Sequence, residues 1–299
     1  MHSNEIKGQL QLHFVVFVWG FTAILGELIT LPATQLVWHR MLIAAISLYI
    51  WTRIRKIDLT VGWKPALQMI GTGAITAAHW ITFFHAVKIS NVSITLACLS
   101  SSALFTSFLE PLIFRRRIQF SEIFFGLLTI AGISVIFEVT TGYEWGIVTA
   151  LISAFLAAAF AVLNGVFTKR HRPTVITTYE MIGGVLAISV YLALSGRFTP
   201  QMFDPPAMDW VWLLVLGTVC TAYAFIVSVQ VMKYLNPYTV VLTINMEPVY
   251  GIILAFLIFG DAERMNLSFY LGTLLIMAAV FGNGLLRRFL RRRVNTNIK

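Results

Sequence analysis

Apolar residues in this chain come in runs of about twenty, parted by short polar stretches, from Leu10 to Leu290. Ten such runs can be marked: 10–28, 32–52, 66–88, 91–114, 120–138, 144–167, 173–195, 209–232, 237–260 and 267–288. At roughly 1.5 Å of rise per residue, a helix over each reaches across the hydrocarbon core of a bilayer. Pro32, Pro65, Pro173 and Pro237 stand at or just before helix starts, where a missing N–H is no loss. The short connections suit sequentially adjacent helices. The pattern predicts an all-α integral membrane protein with ten transmembrane helices.

One run breaks its own pattern. Within 233–260 the helix is expected to start at Asn236-Pro237, yet Asn245-Met246-Glu247-Pro248 sits roughly 15 Å further in. A carboxylate at that depth costs about 2.5–3.5 kcal/mol on insertion scales. The proline frees a carbonyl of the preceding turn and bends the helix. Such defects survive against a cavity or another helix, not against lipid.

Composition agrees: 58% of the 299 residues are hydrophobic and 12% charged. Soluble domains carry about 25% charged residues. Cys98 and Cys220 fall inside apolar runs and read as buried free thiols. The N-terminal MHSNEIKGQ lacks a basic segment and a cleavage site, so the first run is expected to be a membrane helix. The net charge of +9 is unevenly placed. Eighteen of the 22 Lys and Arg fall in one set of loops and the termini, three in the opposite loops, and Arg40 inside a run. The excess predicts both termini in the cytoplasm, with anionic lipids as contacts at that face and no nucleic-acid partner.

The chain also repeats. An offset of 145 aligns Lys88-Ile89-Ser90-Asn91 with Lys233-Tyr234-Leu235-Asn236, and Phe114 with Phe259. An offset of 141 aligns Pro32 with Pro173 and His39 with Glu180. The units are 1–143 and 144–299, with five helices each. Five is odd, so the second unit enters the membrane from the other side, as two inverted repeats with a site expected near the midplane.

At these residues the chain resembles the EamA family of the drug/metabolite transporter (DMT) superfamily. Trp19-Gly20, His39-Arg40 before an Ala-rich stretch, FFHAVKISNVSITLACLSS and Met246-Glu247-Pro248-Val249 carry the resemblance. It implies ten helices in two inverted repeats and export or exchange of small metabolites, amino acids among them. Ala103 stands where the first repeat of the family usually has a proline.

The intramembrane polar residues are the candidates for substrate binding or coupling. Glu247 can carry a proton or meet a cationic group, or lock two helices. Arg40, always charged, can hold a carboxylate with its planar fork, pair with Glu27 or Glu138, or snorkel. His39 lies beside it. His79 and Trp80 sit in an aromatic, small-residue helix that suits a cavity. Tyr179 and Glu180, before Gly183-Gly184, offer a second carboxylate. Asn245, Tyr250 and Tyr223 complete the set, with Asn164 and Gln230 at lower weight. His79 and His85 do not share a helix face, so no metal site is expected, nor any cofactor. Ser153, Ala157, Ala161 and Gly165 form a small-residue stripe, read as a helix-packing surface. Asn91 and Asn266 read as helix caps.

These features point to a secondary transporter working by alternating access on a small-molecule substrate, amino-acid-like, and possible as a homo-oligomer. They hold no nucleotide loop and no catalytic motif, so an intramembrane enzyme is disfavoured; Asp58, Asp204, Asp209 and Asp261 are all expected in loops. A membrane scaffold or receptor subunit is the alternative, weakened by the polar helix centre.

Overall fold

The computed structural model describes residues 2–115, 117–231, 243–244 and 246–296. The expected helix start at Asn236-Pro237, and Asn245, lie outside the described residues. The protein is all-helical, about 85% of it, with no strand among the described residues. The helices are α1 (His2–Leu28), α2 (Ala33–Ile54), α3 (Trp63–Ile89), α4 (Val92–Leu99), α5 (Ser102–Phe114), α6 (Phe120–Val139), α7 (Glu144–Phe167), α8 (Pro173–Leu194), α9 (Ala207–Gly217), α10 (Ala224–Val231), α11 (Glu247–Phe259) and α12 (Leu267–Thr296). A π-helical segment, Thr218–Tyr223, joins α9 to α10.

Among the described residues, six stretches are long and apolar enough to cross a membrane: Ile6–Leu28, Val92–Phe114, Phe120–Val139, Glu144–Phe167, Pro173–Leu194 and Ala207–Ser228. This is a multi-pass membrane protein. Helices α2 and α3 are long but less apolar, because they carry His39-Arg40 and the Thr- and His-bearing stretch 72–82. Large apolar side chains such as Leu112, Leu127, Leu257 and Leu274 point outward, as lipid contact requires.

Two expected runs are interrupted. The run at 91–114 turns at Ser100-Ser101, between α4 and α5, although no proline is there. The Ser101 hydroxyl donates to the Cys98 carbonyl at 2.6 Å and the Ser100 hydroxyl to the Leu96 carbonyl at 3.2 Å. Serine hydroxyls that satisfy carbonyls in this way compete with the helix ladder. The run at 209–232 passes through the π segment, where Thr221 donates to the Leu216 carbonyl five residues back.

Helix α3 packs on α7 and α8, α1 on α10 and α11, α2 on α8 and α9, and α6 on α12. Glycines permit the closest approaches. A Cβ on Gly73 would collide with the backbone of Glu180, and one on Gly183 with that of Ile70.

One end of the bundle is tied across its loops. Asp209 is 2% exposed and accepts from the Thr30 N–H at 3.0 Å and the Thr30 hydroxyl at 2.7 Å. It therefore sits in the buried first turn of α9, not in a loop as its sequence position suggested. The Lys88 ammonium donates to the Ile29 carbonyl at 2.7 Å. Glu263 accepts from Val92 N–H and Ser93 N–H, both at 2.8 Å, and so caps α4. Asn91 and Asn266 act as helix caps, accepting from Ile94 N–H and Phe269 N–H at 2.8 Å each. Beneath these ties Leu25, Ile29, Leu36, Phe84, Val92 and Leu96 are fully buried, so this end is packed shut.

Candidate functional site

A cavity of about 340 Å³ lies in the middle of the bundle, between α1, α2, α3, α4, α5, α7, α10, α11 and α12. Its wall is mostly apolar and aromatic, with Trp19, Trp80, Phe83, Phe160 and Phe225. Three groups of different chemistry face it: Arg40, His79 and Glu247. Its volume falls in the ordinary range for small-molecule sites.

Arg40 lies two turns into α2 and is 3% exposed. Its Nε donates to the Thr221 hydroxyl at 2.9 Å. Its Cζ sits 3.8 Å from the centroid of the Trp80 ring and 5.6 Å from that of Phe84. Its Nη1 is fully buried and has no hydrogen-bond partner. The anticipated partners Glu27 and Glu138 do not pair with it: among the described residues no carboxylate lies within 4.0 Å of the guanidinium. The π segment makes this arrangement. It turns Thr221 toward Arg40, and it leaves the Cys220 carbonyl to accept from Trp19 Nε1 at 3.2 Å. Single π turns of this kind recur at functional sites.

His79, one turn above the middle of α3, is fixed to α7. Its Nδ1 lies 3.0 Å from the Ser153 carbonyl and 2.9 Å from the Ser153 hydroxyl, and that hydroxyl donates to the His79 carbonyl at 3.0 Å. Glu247 opens α11 after a turn at Met246, with Pro248 in the first turn. The free N–H groups of a helix start favour a carboxylate there. Gly20 of α1 lets α11 come this close: a Cβ on Gly20 would stand 3.1 Å from the Glu247 carbonyl oxygen and 3.0 Å from the Gly251 nitrogen. Together the cavity presents a cation with an open donor, a ring nitrogen and a carboxylate in an aromatic setting. Such a set can hold a molecule that bears both an anionic and a cationic end.

The remaining sequence candidates lie elsewhere. His39, next to Arg40 but a hundred degrees around α2, packs among Trp38, Phe203 and Trp210, and its Nδ1 donates to the Gln35 carbonyl, 2.8 Å away. Glu180 is buried in the α3–α8 contact, where it accepts from Asn164 Nδ2 at 2.8 Å. Tyr179 donates to the Leu59 carbonyl at the opposite end from the tied loops. Tyr250 packs against α1, its hydroxyl 2.9 Å from His13 Nδ1. Tyr223 is 47% exposed on the outer side of the π segment. None of these five lines the central cavity.

The sequence pattern of the EamA-like transporter family matches residues 6–138 and again residues 144–285. The chain belongs to the EamA-like transporter family. This EamA-family transporter is 22% identical over 217 residues to an uncharacterized transporter of Archaeoglobus fulgidus, over 73% of this chain and 76% of the relative. It is 23% identical over 192 residues to the pseudopaline exporter CntI of Pseudomonas aeruginosa, over 64% of this chain and 65% of that protein. A crystal structure with 16% sequence identity shares the fold at a TM-score of 0.65, over 94% of this chain and 99% of the other. In the EamA-family chain, sequence reasoning passed over three residues that shape the site. Ser153 was visible only as part of a small-residue stripe. Thr221 and Thr22 sit in apolar runs as unmarked threonines. No local signal sets them apart: the partners of Ser153 and Thr221 are distant in the chain, and Thr22 is marked only by its place on the cavity wall.

Proposed function

We propose that this EamA-family transporter moves a small zwitterionic, amino-acid-like solute by alternating access through the central cavity. The carrying observation is the buried Arg40 Nη1, which has no partner and belongs to a guanidinium lining the cavity. An unpaired buried charge is costly, and a carboxylate on the solute would satisfy it. Glu247 is the group proposed to meet the solute's cationic end or to carry a coupling proton.

Ten spans in two inverted repeats, 1–143 and 144–299, fit the same reading. The helix breaks at Ser101 and Met246 are 145 residues apart. At that offset Trp80 pairs with Phe225, Leu99 with Ile244 and Ser102 with Glu247, and at 141 Trp19 pairs with Phe160; all eight line the one cavity. The excess of basic residues supports cytoplasmic termini in a bacterial inner membrane, with the basic loops on anionic headgroups. The closed end then faces outward and the solute is loaded from the cytoplasm. A relative named as an exporter supports that direction.

The test is binding and counterflow with purified protein in liposomes, across amino acids, amines, nucleosides and sugars at two pH values. Amino-acid-like solutes should raise thermal stability and exchange across the membrane, R40Q should abolish both, and E247Q should remove any pH dependence. Activity unchanged in both variants would overturn the assignment.

A further inference from the structure

His79 is held in a way that decides which of its nitrogens carries the proton. The Ser153 hydroxyl gives its hydrogen to the His79 carbonyl, 3.0 Å away. Toward the ring, therefore, Ser153 offers only acceptors: its hydroxyl lone pair at 2.9 Å and its carbonyl at 3.0 Å, both against Nδ1. A carbonyl cannot donate, so Nδ1 must carry the hydrogen and share it between the two. In the neutral ring Nε2 then keeps a lone pair. His79 lines the cavity, so that lone pair is the acceptor it presents there. Arg40, on the facing helix, presents only donors.

From this geometry we propose that Ser153 is a positioning residue, which locks His79 as a hydrogen-bond acceptor, and that His79 Nε2 selects solutes bearing an N–H group. The selection rests on the cavity being the transport site; the tautomer does not. The lock acts through both the hydroxyl and the main chain of Ser153, so its replacement by alanine keeps one of the two acceptors. The polar stripe residue thus does two things: it lets α7 approach α3, and it sets the polarity of one wall.

The experiment is ¹⁵N-histidine NMR of the full chain at neutral pH, with His79 assigned among the six histidines by its loss in H79Q. The proposal expects a protonated Nδ1 and a lone-pair Nε2. A protonated Nε2, alone or with Nδ1, overturns it. The probes are L-phenylalanine and 3-phenylpropionate, which differ only in the amino group. L-phenylalanine should move the Nε2 resonance and 3-phenylpropionate should not. In H79F the preference between them should fall roughly tenfold or more, the scale of a lost hydrogen bond to a charged group, and H79Q, which keeps an acceptor, should retain part of it. Two probes that bind alike, with no Nε2 response, overturn the selective role. If neither probe binds while the tautomer is as stated, the lock stands and the reading of the cavity as an amino-acid site falls.

Discussion

Arg40 sits over the Trp80 ring, its Cζ 3.8 Å from the ring centroid, while its Nε is taken by Thr221. The ring face and the hydroxyl together hold the guanidinium plane and leave one edge free. A lysine in its place keeps the charge but lacks the fork and stacks less well. R40K should therefore weaken binding of a carboxylate solute by roughly tenfold or more, and W80L by a smaller factor, since a desolvated cation–π contact is worth about 1–2 kcal/mol. Isothermal titration of the detergent-purified protein checks both. Equal affinities in R40K and the parent would remove Arg40 from the recognition.

Asp209 ties α9 to the turn after α1 through two hydrogen bonds to Thr30. D209A removes both hydrogen bonds to Thr30, a loss of about 1–3 kcal/mol in all. The loosened end should also open more often. A cysteine placed at Thr22 in the cavity should react faster with a membrane-impermeant thiol reagent added from outside in D209A than with Asp209 present. D209N, which keeps an acceptor oxygen, should lie between the two.

Glu263 caps α4 from the far half of the chain, with both oxygens on main-chain N–H groups. E263A should lower stability by about 1–2 kcal/mol, the upper range for a lost helix cap. A melt followed by circular dichroism reads this as a drop in Tm. No change in Tm would mean that the loop 260–266 contributes nothing to closing that end.

Gly73 and Gly183 sit where α3 and α8 touch backbone to backbone. Backbone does not yield as a flexible side chain does, so G73A and G183A should each cost about 2 kcal/mol or more. Gly71, two residues from Gly73, has nothing within 4 Å of an added Cβ. G71A should be neutral or stabilising by up to about 1 kcal/mol, from helix propensity alone. A matching loss in G71A would show that propensity and not the crossing is being measured.

Much of this molecule is legible in its hydropathy. Helix existence, class and the caps at Asn91 and Asn266 follow from local rules, because apolar runs must bury in lipid and helix starts must satisfy their first N–H groups. Arg40, His79, Trp80 and Glu247 were readable as candidates, since polar groups inside apolar runs need a reason. His39, Glu180, Tyr179, Tyr250 and Tyr223 carry the same kind of signal and lie outside the cavity. Depth along a helix was legible; direction around it was not.

Hydropathy along the chain specifies a helical membrane protein with polar groups near the middle of its helices. That is one-dimensional information, carried by runs of about twenty residues. Which of those groups meet is set by how the helices pack. Arg40 and Thr221 are 181 residues apart, Thr30 and Asp209 are 179, and His79 and Ser153 are 74. Such pairs depend on helix rotation and crossing, set by glycine contacts and by a π turn that shifts every following side chain around the axis. No run of hydrophobicity encodes that rotation, so the cavity's chemistry exists only once the helices have packed.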